Sequence, residues 1–330
     1  MINYAPIPLL ETSLFLSNQA TGMSWTSYME RIVGKGDNQP HNSTLASYSN
    51  ILTELERRLR ASITVSNKTV QTLFAPLHQR GKDQHYPSSG YVCSILTPSM
   101  VEAYVSWEET AFFSRLREHI QQVPKQILDF LDQDACNMAA DCTIQQLFSK
   151  INNSDLPQNS KLILIDLALN PEGYIDMLQE TMLPVVAEFK RCRELIAPLL
   201  EQFHARYSRE TETAIMDRLW PGDRSRIRQV FIYPGVVCSN YVIFGFNADE
   251  TVLLSSIGSV YEFLRENFAQ ARSSGIQLTK TLVALSNRTG LISSQSFWTA
   301  PPMAGSWQIS SASLPLPSPS TSAFSWAPIW

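Results

Sequence analysis

Apolar residues recur at helical spacing through most of the first 220 positions. In residues 47–61, Leu52, Leu55 and Leu59 form one stripe, and charged residues such as Arg57 occupy the remaining surface. This pattern is typical of an amphipathic helix that buries one face. The same spacing predicts further helices over residues 100–122, 124–133 and 172–208.

Prolines and turn-forming residues set the expected limits of these helices. Pro184 and Pro198 should split or kink the segment 172–208, because proline lacks the amide that a helix interior needs. Residues 35–45 and 79–90 are rich in Gly, Asn, Pro and Ser, and they are predicted to be loops.

The pattern changes after about residue 225. Residues 228–233 and 241–246 are apolar, β-branched and aromatic, and the turn residues between them predict an antiparallel hairpin. Helical spacing returns over residues 257–271 and again over 277–287. We therefore predict a mainly α fold with a small antiparallel β element. Its expected divisions are a helical region 1–225, a hairpin plus helix 226–275, a further helix 276–289 and an irregular tail 290–330.

Composition narrows the class of protein. At 330 residues the chain is long enough for two domains and a sizeable core. It is 44% hydrophobic with a formal net charge of −4, which favours a soluble globular protein and gives no sign of the basic face of a nucleic-acid binder. Residues 1–20 lack the basic start of a secretion signal, so we expect a cytoplasmic protein with no membrane span.

The cysteines indicate reduced thiols and not a disulfide framework, because they are odd in number and widely spread. Cys136 and Cys142, with Asp134 and Asp141 nearby, are the best candidates for metal ligands. Their spacing matches no common zinc pattern and no histidine is close, so we expect buried structural thiols and no metal or cofactor. The five cysteines are Cys93, Cys136, Cys142, Cys192 and Cys238.

Catalytic signals are weak. The sequence contains no P-loop, HExxH or GxSxG motif. Glu108 and Glu109 are adjacent on a predicted helix, and Glu201 and His204 are three residues apart; both pairs suit a solvated helix surface better than a catalytic centre. We therefore expect no enzymatic activity. The remaining histidines are scattered at His41, His78, His85 and His119.

One aromatic group is a candidate for a sensor pocket. Tyr104, Trp107, Phe112 and Phe113 lie on the helix predicted over 100–122. Aromatic residues at this spacing are more often ordinary core than a ligand site, so the core interpretation is favoured and the effector stays unidentified.

The last part of the chain has an unusual composition. From Thr289 to Trp330, 42 consecutive residues include no Asp, Glu, Lys or Arg, although 17% of the whole chain is charged. Four of the seven Trp, with eleven Ser and six Pro, lie in this stretch, which has no helical or strand period. Disordered tails are usually charged and poor in aromatics, so this is not an ordinary solvated tail.

The string Leu285-Ser286-Asn287-Arg288-Thr289 stands at the start of this change. It resembles the Leu-Ser-(Asn/Asp)-x-Thr-Arg-Leu entry into the winged helix-turn-helix of ArsR-type transcriptional regulators. In that family the string joins the first helix of the domain to the second. Here the Arg-Leu pair is missing, because Thr289 is followed by Gly290-Leu291.

A lost base near Thr289 would explain both the missing pair and the tail. Each original codon would then combine the last base of a present codon with the first two bases of the next. Trp and Met have single codons, so some shifted residues are fixed. Four junctions, Trp298-Thr299, Met303-Ala304, Trp307-Gln308 and Trp326-Ala327, must encode Asp, Gly, Ala and Gly. With suitable codons elsewhere, the shifted frame reads as a helix, a Gly turn and two more helices, which resembles the rest of an ArsR-type domain.

The resemblance implies a homodimeric DNA-binding repressor whose recognition helix and wing are missing. Residues 1–225 would be its sensing and dimerisation region, and 276–289 would be the first helix of the winged helix. Lys280 and Arg288 are the remaining cations there, and they are too few for the phosphate clamp that such proteins use. The alternatives are a small-molecule-binding or protein-interaction protein with a genuine low-complexity tail, an altered chain end, and an uncharacterised enzyme.

Overall fold

The computed structural model describes residues 1–25, 43–77, 91–97, 108–131, 143–219, 224–246, 251–263, 265–266 and 325–327. The helices in these ranges are α1 Pro8–Thr21, α2 Ser43–Ala61, α3 Asn67–Phe74, α4 Val92–Leu96, α5 Glu109–Glu118, α6 Val123–Leu131, α7 Ile144–Asn153, α8 Gln158–Leu169, α9 Pro171–Arg191, α10 Arg193–Tyr207 and α11 Glu212–Leu219. A 3₁₀ turn, Ile120–Gln122, joins α5 to α6. The predicted mainly α fold with a small β element is confirmed.

The helix α1 lies at the centre of the helical part. It packs against α3 and α9, and its residues from Leu9 to Ser17 are all buried. Four of these nine buried residues are polar, namely Glu11, Thr12, Ser13 and Ser17. Gly22 ends α1 in the left-handed conformation, at φ 69°, which glycine adopts without steric cost.

The amphipathic helix predicted over residues 47–61 is confirmed within α2. Leu52, Leu55 and Leu59 are all buried in the main core. The helices α5 and α6 confirm the described parts of the predictions over 100–122 and 124–133.

The long segment 172–208 divides at Cys192 and not at its prolines. Pro184 lies inside α9 and Pro198 lies inside α10, whereas Cys192 separates the two helices. The Cys192 amide donates to the Glu188 carbonyl at 3.0 Å, which closes the last turn of α9. Neither proline therefore splits the segment, and the alternative that they kink it stays a prediction.

The sheet contains β1 Gln229–Gly235, β2 Val242–Phe246, β3 Val252–Gly258 and the short β4 Ser325–Ala327, in the order β1-β3-β2-β4. β1 pairs parallel with β3, whereas β2 pairs antiparallel with β3 and with β4. The chain's first residues lie beside the outer edge of β1, where Asn3 donates to the Ile232 carbonyl at 2.8 Å. The first residues of the chain therefore cover the outer edge of β1, and β4 covers the outer edge of β2.

The predicted direct hairpin between residues 228–233 and 241–246 is wrong in its pairing. These segments do form β1 and β2, but β3 lies between them. The sequence pattern missed β3 because both of its faces are buried, and such a strand shows no polar alternation. Leu254 faces the main core, while Leu253 and Ile257 face a second cluster with Phe203 and Met216.

The helical pattern predicted from residue 257 begins later than expected. Ile257 and Gly258 belong to β3, and the helical residues described there are 261–263 and 265–266. The helix predicted over 277–287 lies outside the described residues, as do the predicted loops except 43–45, which belong to α2. The division of the chain near residues 225, 275 and 289 stays a prediction.

Candidate functional site: a buried acid between helix and sheet

Glu11 is a carboxylic acid in the centre of the protein. It stands among apolar residues of α1, and its side chain is 1% exposed. The Val236 amide donates to both of its carboxyl oxygens at 3.1 Å, and the Val237 amide donates to Oε2 at 2.6 Å. These amides belong to residues 236–241, which run from β1 over the end of β3 to β2 and are called the crossover below.

The charge of Glu11 is balanced by backbone dipoles alone in the part of the chain that the structure describes. No lysine, arginine or histidine of those ranges forms an ion pair with it. Burial raises the pKa of Glu11 from 4.5 to about 7, although the amides of Val237 and Val236 act in the opposite direction. The side chain therefore changes its charge near neutral pH.

The Cys238 thiol interacts electrostatically with this acid, and a second buried thiol bonds to the same helix. The Ser13 hydroxyl lies 3.8 Å from the Cys93 sulfur, and the Cys238 thiol belongs to the crossover. Burial raises the pKa of Cys93 to about 12, and it raises the pKa of Cys238 as well. Both thiols are thus protonated at neutral pH, which makes them poor nucleophiles and poor metal ligands.

A small cleft lies beside the same crossover. Its volume is about 30 Å³, which is room for roughly two water molecules. Trp25 donates its amide to Glu56 at 3.0 Å and its indole N–H to Ser49 at 3.1 Å, so its ring is held at the rim. The cleft is lined by Phe15, Asn18, Gln19, Met23, Ser24, Trp25, Leu52, Leu55, Glu56, Leu59 and Val237.

An ion-pair network holds the residues that follow β3. The segment 259–266, without residue 264, is called the connector below, since it leads towards residue 276. Arg218 of α11 reaches Glu262 of the connector at 3.0 Å and Glu210 at 2.7 Å. Arg265 lies 3.1 Å from Glu262. These two arginines and their two glutamates form the arginine network. A further pair, Arg206 with Glu266 at 2.7 Å, joins the connector to α10.

The aromatic candidates divide into two groups. Phe112 and Phe113 are fully buried and meet edge to face at 5.1 Å in the main core, so they fill the core and do not line the cleft. Tyr104 and Trp107 lie outside the described residues.

The described carboxylates and histidines that the sequence offered as catalytic candidates do not form one cluster. Glu109 pairs with Lys190 at 2.5 Å, while Glu108 stands exposed at the start of α5. His119 ends α5, and the His204 ring packs on Tyr4 at 4.4 Å. His41, His78 and His85 lie outside the described ranges, as do Cys136, Cys142, Lys280 and Arg288.

Glu11 and Arg218 were both missed by sequence reasoning. A single acid between Leu10 and Leu14 on the helix was the available signal for Glu11, because an acid on the apolar face of a helix has to be buried with a partner. No comparable signal marks Arg218, whose partners Glu210 and Glu262 are brought together by the fold.

The arrangement is a titratable acid bound by main-chain amides. The described residues include no group of three or more His, Cys, Asp or Glu side chains that could hold a metal ion. Among those same residues, no helix combines the length and the apolar character needed to cross a membrane. The chain matches no protein-family model, no curated protein and no solved structure.

Proposed function

We propose that this chain is the sensing and dimerisation part of an ArsR-like transcriptional regulator that has lost its DNA-reading helices through a frameshift near Thr289. The observation that carries the proposal is the junction itself. A string that resembles the entry to the winged helix ends at Thr289, and the 42 residues from there onward contain no charge. A DNA-binding domain needs several cations for phosphate contacts, so this composition is incompatible with an intact domain.

The arrangement of the described residues supports the proposal. The connector ends ten residues before position 276, and ion pairs to Glu262 and Glu266 attach it to α11 and α10. A segment attached in this way is suited to transmit a conformational change in the helical region to the residues that follow the connector. In this proposal the protein is a cytoplasmic homodimer with an effector that is not identified, and it has no catalytic role.

The consequence for DNA binding is direct. Lys280 and Arg288 are the cations left in the part that resembles the winged helix, and two phosphate contacts give weak, unspecific affinity at most. We expect the chain as it stands to show no specific complex with the DNA upstream of its own gene. Fluorescence anisotropy at 50 mM salt checks this, and saturable nanomolar binding would contradict it.

The matched variant is the chain with one base restored near codon 289. If the frameshift proposal is correct, the restored frame runs on past codon 330, and its product binds the same DNA with an affinity that falls steeply as salt is raised. Sequencing the gene across codons 286–330 comes first. Stop codons in the shifted frame, or a restored product without helical periodicity, would end the proposal.

A second candidate function has one observation in its favour. The segment Ser325–Ala327 pairs with β2 through the register Val242↔Ala327, which gives the tail a structural role that a genuine C-terminus would have. In that case the protein is a ligand-binding or interaction protein with an integral tail.

Deleting residues 325–330 tests this second candidate. A genuine tail strand should contribute about 1 kcal/mol or more to the free energy of unfolding, because its hydrogen bonds and packing are lost. An out-of-frame tail should contribute less than about 0.5 kcal/mol, which is usual for changes away from structural features. Urea denaturation of the two chains distinguishes these outcomes, and the deletion of residues 328–330 serves as the control.

A further inference from the structure

The crossover joins Glu11 to the connector through main-chain hydrogen bonds. On one side, the Val236 and Val237 amides bind the Glu11 carboxylate. On the other side, the Val260 amide donates to the Ser239 carbonyl at 2.9 Å. Directly before the crossover, the carbonyl that ends β1 accepts from the Ser259 amide at 2.8 Å. The acid in α1 is thus separated from the connector by a single short segment.

This segment fits closely against the end of β3. A Cβ atom at Gly258 would overlap the Ser239 carbonyl, and a Cβ atom at Gly235 would come within 2.8 Å of the Ser256 hydroxyl. Close-packed segments move together, since no free space absorbs the displacement of one against the other. A shift of the crossover therefore has to be passed to Gly258 and the connector.

Among the described residues, no neighbouring side chain compensates the charge of Glu11. The buried faces of α3 and α9, which pack on α1, contain no charged residue. The crossover contributes the Cys238 thiol, and α4 with its preceding residue contributes Cys93 and Tyr91. Burial raises the pKa of all three groups, so each is neutral near pH 7. Glu11 is the member of this cluster that changes charge there.

We propose that Glu11 is a proton-operated latch, which in its ionised form holds the crossover amides against α1 and on protonation releases them, so that the connector shifts. Hydrogen bonds to an ionised carboxylate are roughly twice as strong as those to a neutral acid, and both crossover amides lose that assistance together. The latch needs no DNA. Its consequence for a reading head at residue 276 rests on the proposed function.

The test is a pH titration of the folded chain by amide NMR, from pH 5.5 to 8.5. The amide protons of Val236 and Val237 should move together with one midpoint near pH 7, because both donate to the titrating carboxyl group. The amides of Ser259, Val260 and Glu262 should move with the same midpoint, because the crossover carries the change to them. Glu11→Gln should abolish this shared transition, whereas Glu54→Gln, at an exposed ion pair of α2, should leave it intact.

The outcomes separate the parts of the proposal. If the Val236 and Val237 signals titrate while those of the connector stay fixed, the acid titrates locally and the latch is overturned. If the connector titrates unchanged in Glu11→Gln, another group operates it, which also overturns the latch. Should Glu11→Gln fail to fold, the coincidence or separation of midpoints in the natural chain still decides the question.

A chain with the restored frame connects the latch to the proposed function. Its affinity for DNA should differ at least threefold between pH 6 and pH 8, beyond any change seen in Glu11→Gln. If the restored chain binds no DNA at either pH, the proposed function fails while the NMR result on the latch stands. If it binds equally at both, the latch has no effect on DNA reading.

Discussion

Glu11 and Glu262 are both buried acids, and they are stabilised in different ways. Glu262 is 6% exposed and lies within 3.1 Å of two arginines, Arg218 and Arg265. Glu11 is 1% exposed and is bound by two backbone amides. The arginines neutralise Glu262, so its position fixes the connector. The amides bind Glu11 without neutralising it, so the carboxyl group can still gain or lose a proton.

The largest effect should come from removing the central cation of the arginine network. Arg218→Met should lower the free energy of unfolding by about 3 kcal/mol, because Glu262 stays buried with part of its charge uncompensated. Urea denaturation at pH 7 measures this loss. The matched control is Arg57→Met, which removes an ion pair to Glu54 that is exposed on both sides and should leave the urea midpoint almost unchanged. Equal losses in the two variants would show that Glu262 is not held by its arginine.

The next effect is the part of the pH dependence of stability that comes from Glu11. Its pKa in the folded protein is about 7 and its ordinary value is 4.5, so between these values the folded state binds more protons than the unfolded state. The contribution of Glu11 to stability should therefore fall by up to about 3 kcal/mol as the pH rises from 4.5 to 7, and then stay constant.

The measurement is the difference in free energy of unfolding between the natural chain and Glu11→Gln at several pH values from 5 to 8. Taking the difference removes the titration of all other groups that the two chains share. Two parallel curves would show that Glu11 ionises as freely in the folded protein as in the unfolded one, and the contrast with Glu262 would disappear.

A smaller effect should come from the end of β3, where the crossover lies against the chain. Gly258→Ala should cost about 1–3 kcal/mol, because the added methyl group overlaps the Ser239 carbonyl. Ser259→Ala, one residue further on, removes a buried hydroxyl that has no hydrogen-bond partner among the described residues, and it should be neutral within about 0.5 kcal/mol. Hydrogen exchange of the Val236 and Val237 amides should increase in the first variant and not in the second.

Helices could be predicted well where one apolar stripe faces the core. The stripe of α2 and the segment of α6 are such cases, and the structure confirms both. The reason is that a surface helix displays its burial directly in the spacing of its apolar residues. Pro198 was misleading because a helix interior tolerates proline when packing supports the flanking turns, and the break lies instead at Cys192.

The strand β3 and the acid Glu11 show where sequence reasoning failed, and for a common reason. Both lie in the centre of the protein, where burial on all sides removes the contrast between apolar and polar positions. The partners of Glu11 are backbone amides more than 200 residues away, and no side-chain pattern reports a main-chain partner. Lys280 and Arg288, the DNA contacts expected from the resemblance, lie outside the described residues and stay predictions.

The separation between α1 and the crossover also has a consequence for synthesis on the ribosome. Glu11 and Val236 are 225 residues apart in the chain. At about 5–20 residues per second, the helix α1 therefore leaves the ribosome roughly 10–45 seconds before the crossover that binds its Glu11 exists. During that interval the apolar side chains of α1 are exposed to solvent. We expect them to be a binding site for ribosome-associated chaperones.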